Sequence, residues 1–221
     1  YVWAHNIAGK GTSSPANLNP GASTCTGITT DKNENVLITG SLTDSADFDP
    51  GPAAETMEGK FRPGHFIGMA EVVYRLLRIT SPDSLFMGQK DFQQFSIIRK
   101  LIADFHMPIE LVMCPTVREA NGLAMSSRNV RLSPEARDKA GVIFNILTSG
   151  KMLFEQKTPA KYVQDIALDA LRKVNFDPEY FEVVNGYTLE PVEHMEDAEQ
   201  IVACCAVKVE GVRLIDNMIW K

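Results

Sequence analysis

The chain has 221 residues, of which 44% are hydrophobic and 23% charged, as in ordinary globular proteins. This length suits one or two domains with a substantial core. The net charge of −6 argues against general nucleic-acid binding but allows a nucleotide ligand, which needs only a few local cations. Because we find no bilayer-spanning apolar run and no signal peptide at the first residues, we expect a cytoplasmic protein without membrane contact.

The first 53 residues differ in composition from the rest, since they hold no arginine and are rich in Gly, Ser, Thr, Asn and Asp. They predict turns around a short β run at Val36–Thr39 and no long helix. Through Trp3-Ala4, Thr30–Gly40 and Asp47–Gly51, residues 1–55 resemble a single repeat of bacterial surface β-propeller proteins. One such repeat cannot bury its faces alone. The nearby acids Asp47 and Asp49 suggest a solvated turn rather than a calcium site.

The next segment alternates helix and strand patterns. Gly68–Ile79 spaces its apolar residues for one face of a helix, and Ser84–Met87 is a short buried strand. Asp91–Phe105 is a second amphipathic helix, and Ile109–Cys114 is the next strand. A strand, a helix and a strand of these lengths predict a βαβ unit with a parallel sheet.

The last third of the chain predicts a smaller α+β unit. Two helical patterns cover Pro134–Glu155 and Pro159–Val174. Three β-like runs follow and can pair as hairpins: Tyr180–Val184, Gln200–Val209 and Val212–Asp216.

The cysteines form no C-x-x-C pair, which favours free buried thiols in a reducing compartment. Adjacent Cys204 and Cys205 are expected on opposite faces of a strand. The four scattered histidines form no metal-binding pattern, so we predict no metal site in the protein itself.

A first polar cluster, Gly88–Gln94, follows a predicted strand, and ligands of open parallel sheets collect at such strand ends. Asp91 as an N-cap and Gln94 three residues later would form a capping-box-like pattern. That interpretation leaves Lys90 unexplained, because a cation at a helix N-terminus is unfavourable unless an anion also binds there. Gly88 would let a ligand approach the backbone closely. The cluster is thus either a helix cap or part of an anion site.

A second polar cluster, Val117–Asn129, follows the next strand. Ser126, Ser127 and Arg128 supply two hydroxyls and a guanidinium, which suit phosphate oxygens. The alternative is an ordinary surface loop with an ST-turn before the helix that starts at Ser133-Pro134. Composition does not decide between the two.

Four motifs in order closely resemble the pantothenate synthetase (pantoate–β-alanine ligase) family. They are EGKFRPGHF (Glu58–Phe66), GQKDFQQ (Gly88–Gln94), PTVREANGLAMSSRN (Pro115–Asn129) and VRLIDN (Val212–Asn217). The resemblance covers residues 56–221. It implies an α/β fold in which residues 56–130 are the second half of a Rossmann-like nucleotidyltransferase domain. Residues 131–221 would then form a C-terminal α+β lid and dimerisation domain, preceded by the β-rich segment 1–55.

The resemblance also implies a reaction in two steps. The carboxylate of pantoate attacks the α-phosphorus of ATP, which gives pantoyl adenylate and pyrophosphate. The amine of β-alanine then attacks the activated acyl group and releases AMP. Magnesium would accompany the ATP, and the protein would be a homodimer.

Carried over to this chain, the resemblance assigns roles to individual residues. ATP would contact Gly88, Gln89, Lys90, Asp91, Val117, Met125, Ser126, Ser127 and Arg128. Of these, Lys90, Ser126, Ser127 and Arg128 would act in catalysis by neutralising phosphate charge. Gln94 would hold pantoate, and Arg62 and His65 would line the substrate cavity.

The family's early P-T-M-G-x-L-H-x-G-H motif and its early pantoate-binding glutamine have no counterpart here. We therefore expect this chain alone to be a poor or inactive ligase. We also expect the strand Ser84–Met87 to have free edges and uncovered apolar surface, so that this half is poorly ordered or borrows a partner strand from the N-terminal segment or another chain. The alternatives are a non-catalytic chimera that keeps only the dimerisation module, or a surface protein defined by residues 1–53.

Overall fold

The structure, a computed structural model, describes residues 24–30, 36–41 and 51–221. Strands β1 (Thr24–Thr30) and β2 (Val36–Ser41) form an antiparallel pair in which Ile28 lies opposite Ile38. The predicted β run is confirmed as β2. The predicted turn from Gly27 onward is wrong as far as Thr30, because these residues belong to β1, whose four Thr and one Ile have branched side chains that favour strands, and residues 31–35 lie outside the described residues. Trp3, Asp47 and Asp49 lie outside the described residues.

From residue 58 onward, six α-helices are formed in the described chain. They are α1 (Glu58–Phe61), α2 (His65–Thr80), α3 (Phe92–Asp104), α4 (Pro134–Lys139), α5 (Val142–Glu155) and α6 (Ala160–Lys173). Short 3-10 turns lie at Gly51–Ala54, Gln89–Asp91, Ser127–Arg131 and Met195–Asp197. No helix in the described residues is long and apolar enough to cross a bilayer.

The predicted βαβ unit is confirmed. Strands β3 (Ser84–Gly88) and β4 (Glu110–Cys114) are parallel, and Gly88 pairs with Cys114 at their carboxyl ends. The buried side chains of α2 and α3 form one hydrophobic cluster with Leu85, Met87 and Leu111 of the two strands. The loops that carry the two polar clusters therefore begin at the same edge of the sheet.

The other face of this two-stranded sheet is open. Phe86 alternates with the packed residues Leu85 and Met87 and is 65% exposed. Within the described chain, β1 and β2 pair only with each other and do not extend this sheet. The expected uncovered apolar surface and free strand edges are thus found.

The capping-box interpretation of the first cluster is wrong. Asp91 occupies the N-cap position of α3, but its side chain makes no capping hydrogen bond. The residues before it, Gln89–Asp91, form a 3-10 turn instead. In contrast, the predicted helix start at Ser133-Pro134 is confirmed, and Ser133 caps α4, because its hydroxyl accepts a hydrogen bond from the backbone N–H of Ala136 at 3.2 Å.

The C-terminal unit is a three-stranded antiparallel sheet covered by two helices. Its strands, in the order β5–β6–β7, are Asp177–Asn185, Ile201–Val209 and Val212–Ile219. Helices α5 and α6 pack on one face, where Cys205 is buried, while Cys204 lies on the opposite face beside Phe92 and Tyr180. The predicted opposite orientation of the two thiols is confirmed.

The helix predicted over Pro134–Glu155 is divided into α4 and α5. The break lies at Ala140-Gly141, where a Cβ on Gly141 would lie 2.2 Å from the carbonyl oxygen of Asn121. The loop after β4 therefore packs against the backbone at the break. This contact brings the second polar cluster onto the C-terminal unit.

Candidate functional site

A cleft lies beyond the carboxyl end of β3, where the turn after this strand and residues 57–66 meet the C-terminal sheet. Its empty volume is about 440 Å³, including its open mouth. Five predicted site residues line it: Arg62, His65, Lys90, Asp91 and Gln94. Residues from two predicted motifs, RPGHF and GQKDFQQ, therefore meet in one place, which spacing alone could not establish.

Two cations that line the cleft are without a counterion in the described residues. The ammonium of Lys90 has no ion-pair partner among residues 51–221, and neither does the guanidinium of Arg62. Partial burial, followed by the charge of Arg62, lowers the pKa of His65 below its ordinary value, although Glu58 opposes this change. This change favours the neutral imidazole, so the charges that favour an anionic ligand are those of Lys90 and Arg62.

A second, smaller cavity adjoins the first and shares Lys90 with it. Ser126, Arg128 and Asn129 of the loop after β4 line this cavity together with Arg213 and Asp216 of β7. The hydroxyl of Ser126 accepts a hydrogen bond from the backbone N–H of Arg128 at 3.2 Å. The Arg128 guanidinium donates to the carbonyl oxygen of Arg213 at 3.3 Å. Lys90, Ser126 and Arg128 thus face one space.

Other predicted ATP-binding residues do not line either cavity. Val117 and Met125 are 65% and 52% exposed, and Ser127 is also exposed. The Val117 carbonyl accepts a hydrogen bond from the Met125 backbone N–H at 2.9 Å, which closes the base of the loop. Gly88 is exposed, and a Cβ placed on it would meet no atom within 4 Å. Their assignment to ATP stays a prediction.

The C-terminal sheet fixes both loops through two adjacent side chains of β7. The Asp216 carboxylate accepts hydrogen bonds from both terminal nitrogens of Arg118, in the loop after β4. The Asn217 amide donates to the carbonyl oxygens of Gln89 and Lys90, in the turn after β3. Both residues belong to the VRLIDN motif, but no role was predicted for them. The only signal in the sequence was that these two polar residues follow an apolar strand pattern.

A second missed group joins the EGKFRPGHF segment to the same sheet. Arg213 donates from Nη1 to Glu58 Oε2 at 2.8 Å and from Nε to Glu179 Oε2 at 2.7 Å. The Tyr180 hydroxyl donates to Glu58 Oε1 at 3.0 Å. Burial, followed by the negative charge of Glu58, raises the pKa of Tyr180 well above its ordinary value. Tyr180 therefore acts as a hydrogen-bond donor and does not ionise.

The described residues contain no cluster of three or more His, Cys, Asp or Glu side chains that would hold a metal ion. Of the three acids that line the main cleft, Glu58 and Asp216 are committed to arginines. Asp91 is exposed and has no hydrogen-bond or ion-pair partner within residues 51–221. A cation carried into the cleft by an anionic ligand would meet this carboxylate.

We compared the chain with known protein sequences. The sequence model described as Pantoate-beta-alanine ligase matches residues 40–219. The pantothenate synthetase of Porphyromonas gingivalis W83 is 41% identical over 178 residues, which are 80% of this chain and 63% of the relative. That of Cytophaga hutchinsonii is 40% identical over 173 residues, covering 77% and 61% of the two chains. The chain thus spans about three fifths of the length of these curated relatives.

Solved structures show the same fold. A crystal structure of pantothenate synthetase from Thermus thermophilus superimposes with a TM-score of 0.71 at 38% identity, covering 77% of this chain and 61% of that one. A pantoate-beta-alanine ligase from Francisella tularensis, complexed with beta-gamma ATP and beta-alanine, gives 0.57 at 31% identity, covering 76% and 55%. These matches confirm the predicted α/β fold class.

The family match starts at residue 40, earlier than the predicted start at residue 56. The resemblance of residues 1–53 to a propeller repeat stays a prediction. On the evidence of the matched residues 40–219 and the shared fold, this chain belongs to the pantoate-beta-alanine ligase family.

Proposed function

We propose that this chain binds ATP and acts in the ATP-dependent condensation of pantoate with β-alanine. The reaction would pass through pantoyl adenylate and release pyrophosphate and AMP. The observation that carries the proposal is the position of Lys90. Its ammonium has no ion-pair partner in the described chain and lines both cavities at the edge of a parallel sheet, where nucleotides bind.

The side chains around Lys90 suit both the phosphates of ATP and pantoate. Ser126 and Arg128 line the smaller cavity and would donate to phosphate oxygens. Gln94 lines the main cleft and would hold pantoate through its amide. Catalysis would depend on positioning and on neutralising phosphate charge, without a covalent enzyme intermediate.

Magnesium would enter as the counterion of the ATP phosphates. Mg²⁺ prefers oxygen ligands and is usually held by one or two carboxylates together with the substrate phosphates. The exposed carboxylate of Asp91, at the mouth of the main cleft, fits that requirement. The proposal assigns to Asp91 a contact with magnesium-bound ATP.

Two further parts of the proposal rest on the family resemblance. The protein would be a homodimer that associates through its C-terminal unit, and it would act in the cytoplasm. Light scattering of the purified chain tests the first point, since a monomer at micromolar concentration would contradict it.

A non-catalytic role is the second candidate, because the C-terminal sheet and its helices form a hydrophobic cluster of their own. Ligand binding distinguishes the two candidates. A chain that binds ATP at its cleft is stabilised by the nucleotide, whereas a dimerisation module alone is not.

The decisive experiment is a calorimetric titration of the chain with magnesium-ATP, with and without pantoate. Lys90→Met should weaken ATP binding by about ten- to a hundredfold, since a hydrogen bond to a charged group contributes about 1.5–3 kcal/mol. Lys161→Met, on the exposed surface of α6, is the control and should leave binding unchanged. Absence of ATP binding by the unaltered chain would overturn the proposal.

Turnover is measured separately as AMP release that requires both pantoate and β-alanine. The sequence predicts little or no turnover by this chain alone. Robust AMP release would contradict that prediction while supporting the proposed reaction.

A further inference from the structure

The side-chain amide of Asn217 links the C-terminal unit by hydrogen bonds to the turn that carries Lys90. Its Nδ2 donates to the carbonyl oxygens of Gln89 at 2.9 Å and Lys90 at 2.8 Å. Its Oδ1 accepts a hydrogen bond from Gln89 Nε2 at 3.2 Å. Each polar atom of this amide is therefore bonded to one short turn that is distant in sequence.

The geometry requires an amide at this position. Two N–H donors must face two carbonyl oxygens, and one acceptor must face a side-chain N–H. A carboxylate of the same shape has no donor and would place negative charge against the carbonyls. Because the two carbonyls can only accept, the orientation of the amide is also determined by its surroundings.

Asn217 is itself held firmly. It is 2% exposed, and its backbone N–H donates to Asp216 Oδ1 at 2.8 Å. No other side chain within residues 51–221 hydrogen-bonds to the backbone of Gln89–Asp91. The turn itself is only partly buried, so its position depends on these bonds.

We propose that Asn217 is a positioning residue for Lys90. By holding the carbonyls of the two peptide groups that flank the Lys90 Cα, it keeps the turn in the conformation that directs the ammonium between the two cavities. The effect on nucleotide affinity rests on the proposed function, whereas the effect on the turn does not. Asn217 touches no substrate in this role and acts through Lys90.

The test compares two substitutions with a matched control. Asn217→Asp keeps the side-chain shape and removes both donors, and Asn217→Ala removes them without adding charge. The control is Lys221→Met, because Lys221 Nζ also donates to two backbone carbonyls, those of Met195 and Ala198, both at 2.8 Å, and lines neither cavity. Circular dichroism establishes which variants are folded. If an Asn217 variant does not fold, Gln89→Leu replaces it, because this substitution removes one of the three hydrogen bonds between Asn217 and the turn.

Two readouts need no ligand. Hydrogen exchange of a peptide spanning residues 88–95 reports the turn, and competitive amine labelling reports the surroundings of Lys90. We expect exchange to become at least about fivefold faster and labelling of Lys90 to change in both Asn217 variants. A merely structural role would lower the melting temperature without a local change at this turn.

The third readout is the dissociation constant of magnesium-ATP, which should rise about tenfold in the Asn217 variants and stay constant in Lys221→Met. Unchanged exchange and labelling in the Asn217 variants would overturn the inference, as would equal effects in the control. If the unaltered chain binds no ATP, the proposed function fails, and the exchange and labelling results still decide whether Asn217 positions the turn.

Discussion

Arg118 and Asp216, which lie 98 residues apart in sequence, form a bidentate ion pair between the loop after β4 and strand β7. Nη1 lies 2.6 Å from Oδ2 and Nη2 lies 2.9 Å from Oδ1. The side chains are only 18% and 3% exposed, and the guanidinium lies 4.0 Å from the centre of the Phe144 ring. Burial raises the pKa of Asp216 and the charge of Arg118 opposes that rise, so the acid depends on its partner to remain ionised.

Asp216→Asn should therefore destabilise the fold strongly. The substitution leaves the partly buried Arg118 without a counterion, and breaking a buried pair from one side costs about 3–5 kcal/mol. Urea denaturation measures the loss. The matched control is Asp169→Asn, which breaks the exposed pair with Arg172 and should cost less than about 1 kcal/mol. Equal losses in the two variants would contradict the role of burial.

Arg213→Leu should be similarly costly, because it leaves Glu58 without an ion-pair partner and Glu179 with Lys208 alone. Both acids are mostly buried, with 11% and 8% of their side chains exposed. We expect a loss of about 3–5 kcal/mol in free energy of unfolding. Adding Glu58→Gln to Arg213→Leu should restore part of the loss, because it removes one unpaired charge. A double variant that is less stable than Arg213→Leu would contradict this interpretation.

Glu119 should make stability depend on pH. The hydrogen bond from Arg137, followed by that from Asn129, lowers the pKa of Glu119 below its ordinary value of 4.5. Since the ionised form is favoured by folding, this contribution is present above pH 4.5 and is lost as the pH falls through the lowered folded-state pKa.

Glu119→Gln removes that contribution. We expect it to lower the free energy of unfolding by up to about 1 kcal/mol near neutral pH, with the difference from the unaltered chain shrinking under acid. Arg137→Leu should remove most of the same pH dependence, because Arg137 provides the first cause of the pKa change and the Asn129 hydrogen bond remains. Urea denaturation from about pH 7 to about pH 3 measures both. A difference that stays constant over this range would contradict the assignment.

Much of the fold could be predicted because apolar periodicity is a local property of sequence. The strand Ser84–Gly88 and the helix Phe92–Asp104 were found within a few residues of their ends. Strand β1 was missed because its polar threonines and a glycine resemble a turn, although branched side chains favour a strand. The break at Gly141 depends on a contact with Asn121 that no local pattern contains.

The position of the candidate site could be predicted from the predicted strand ends and from charges that a helix terminus disfavours. Lys90 was singled out because a cation before a helix needs an anion, and the structure places it in the cleft. Its support could not be predicted, since Asn217 is 128 residues away from Gln89 and reaches it only after the C-terminal sheet has formed. Tertiary hydrogen bonds of this kind leave no periodic signal in one sequence.

A buried and an exposed phenylalanine near β3 predict losses of stability of different size on truncation to alanine. Phe92, which begins the helix after β3, is 2% exposed and belongs to the cluster on the Cys204 face, so Phe92→Ala should cost about 3–5 kcal/mol. Phe86 is 65% exposed on the open face, so Phe86→Ala should cost less than about 1 kcal/mol, mainly through strand propensity. Urea denaturation compares the two variants under one set of conditions. Binding of a hydrophobic dye should fall only in Phe86→Ala, because dyes of this kind bind exposed apolar side chains. A large loss of stability in Phe86→Ala would instead mean that this ring is covered in solution.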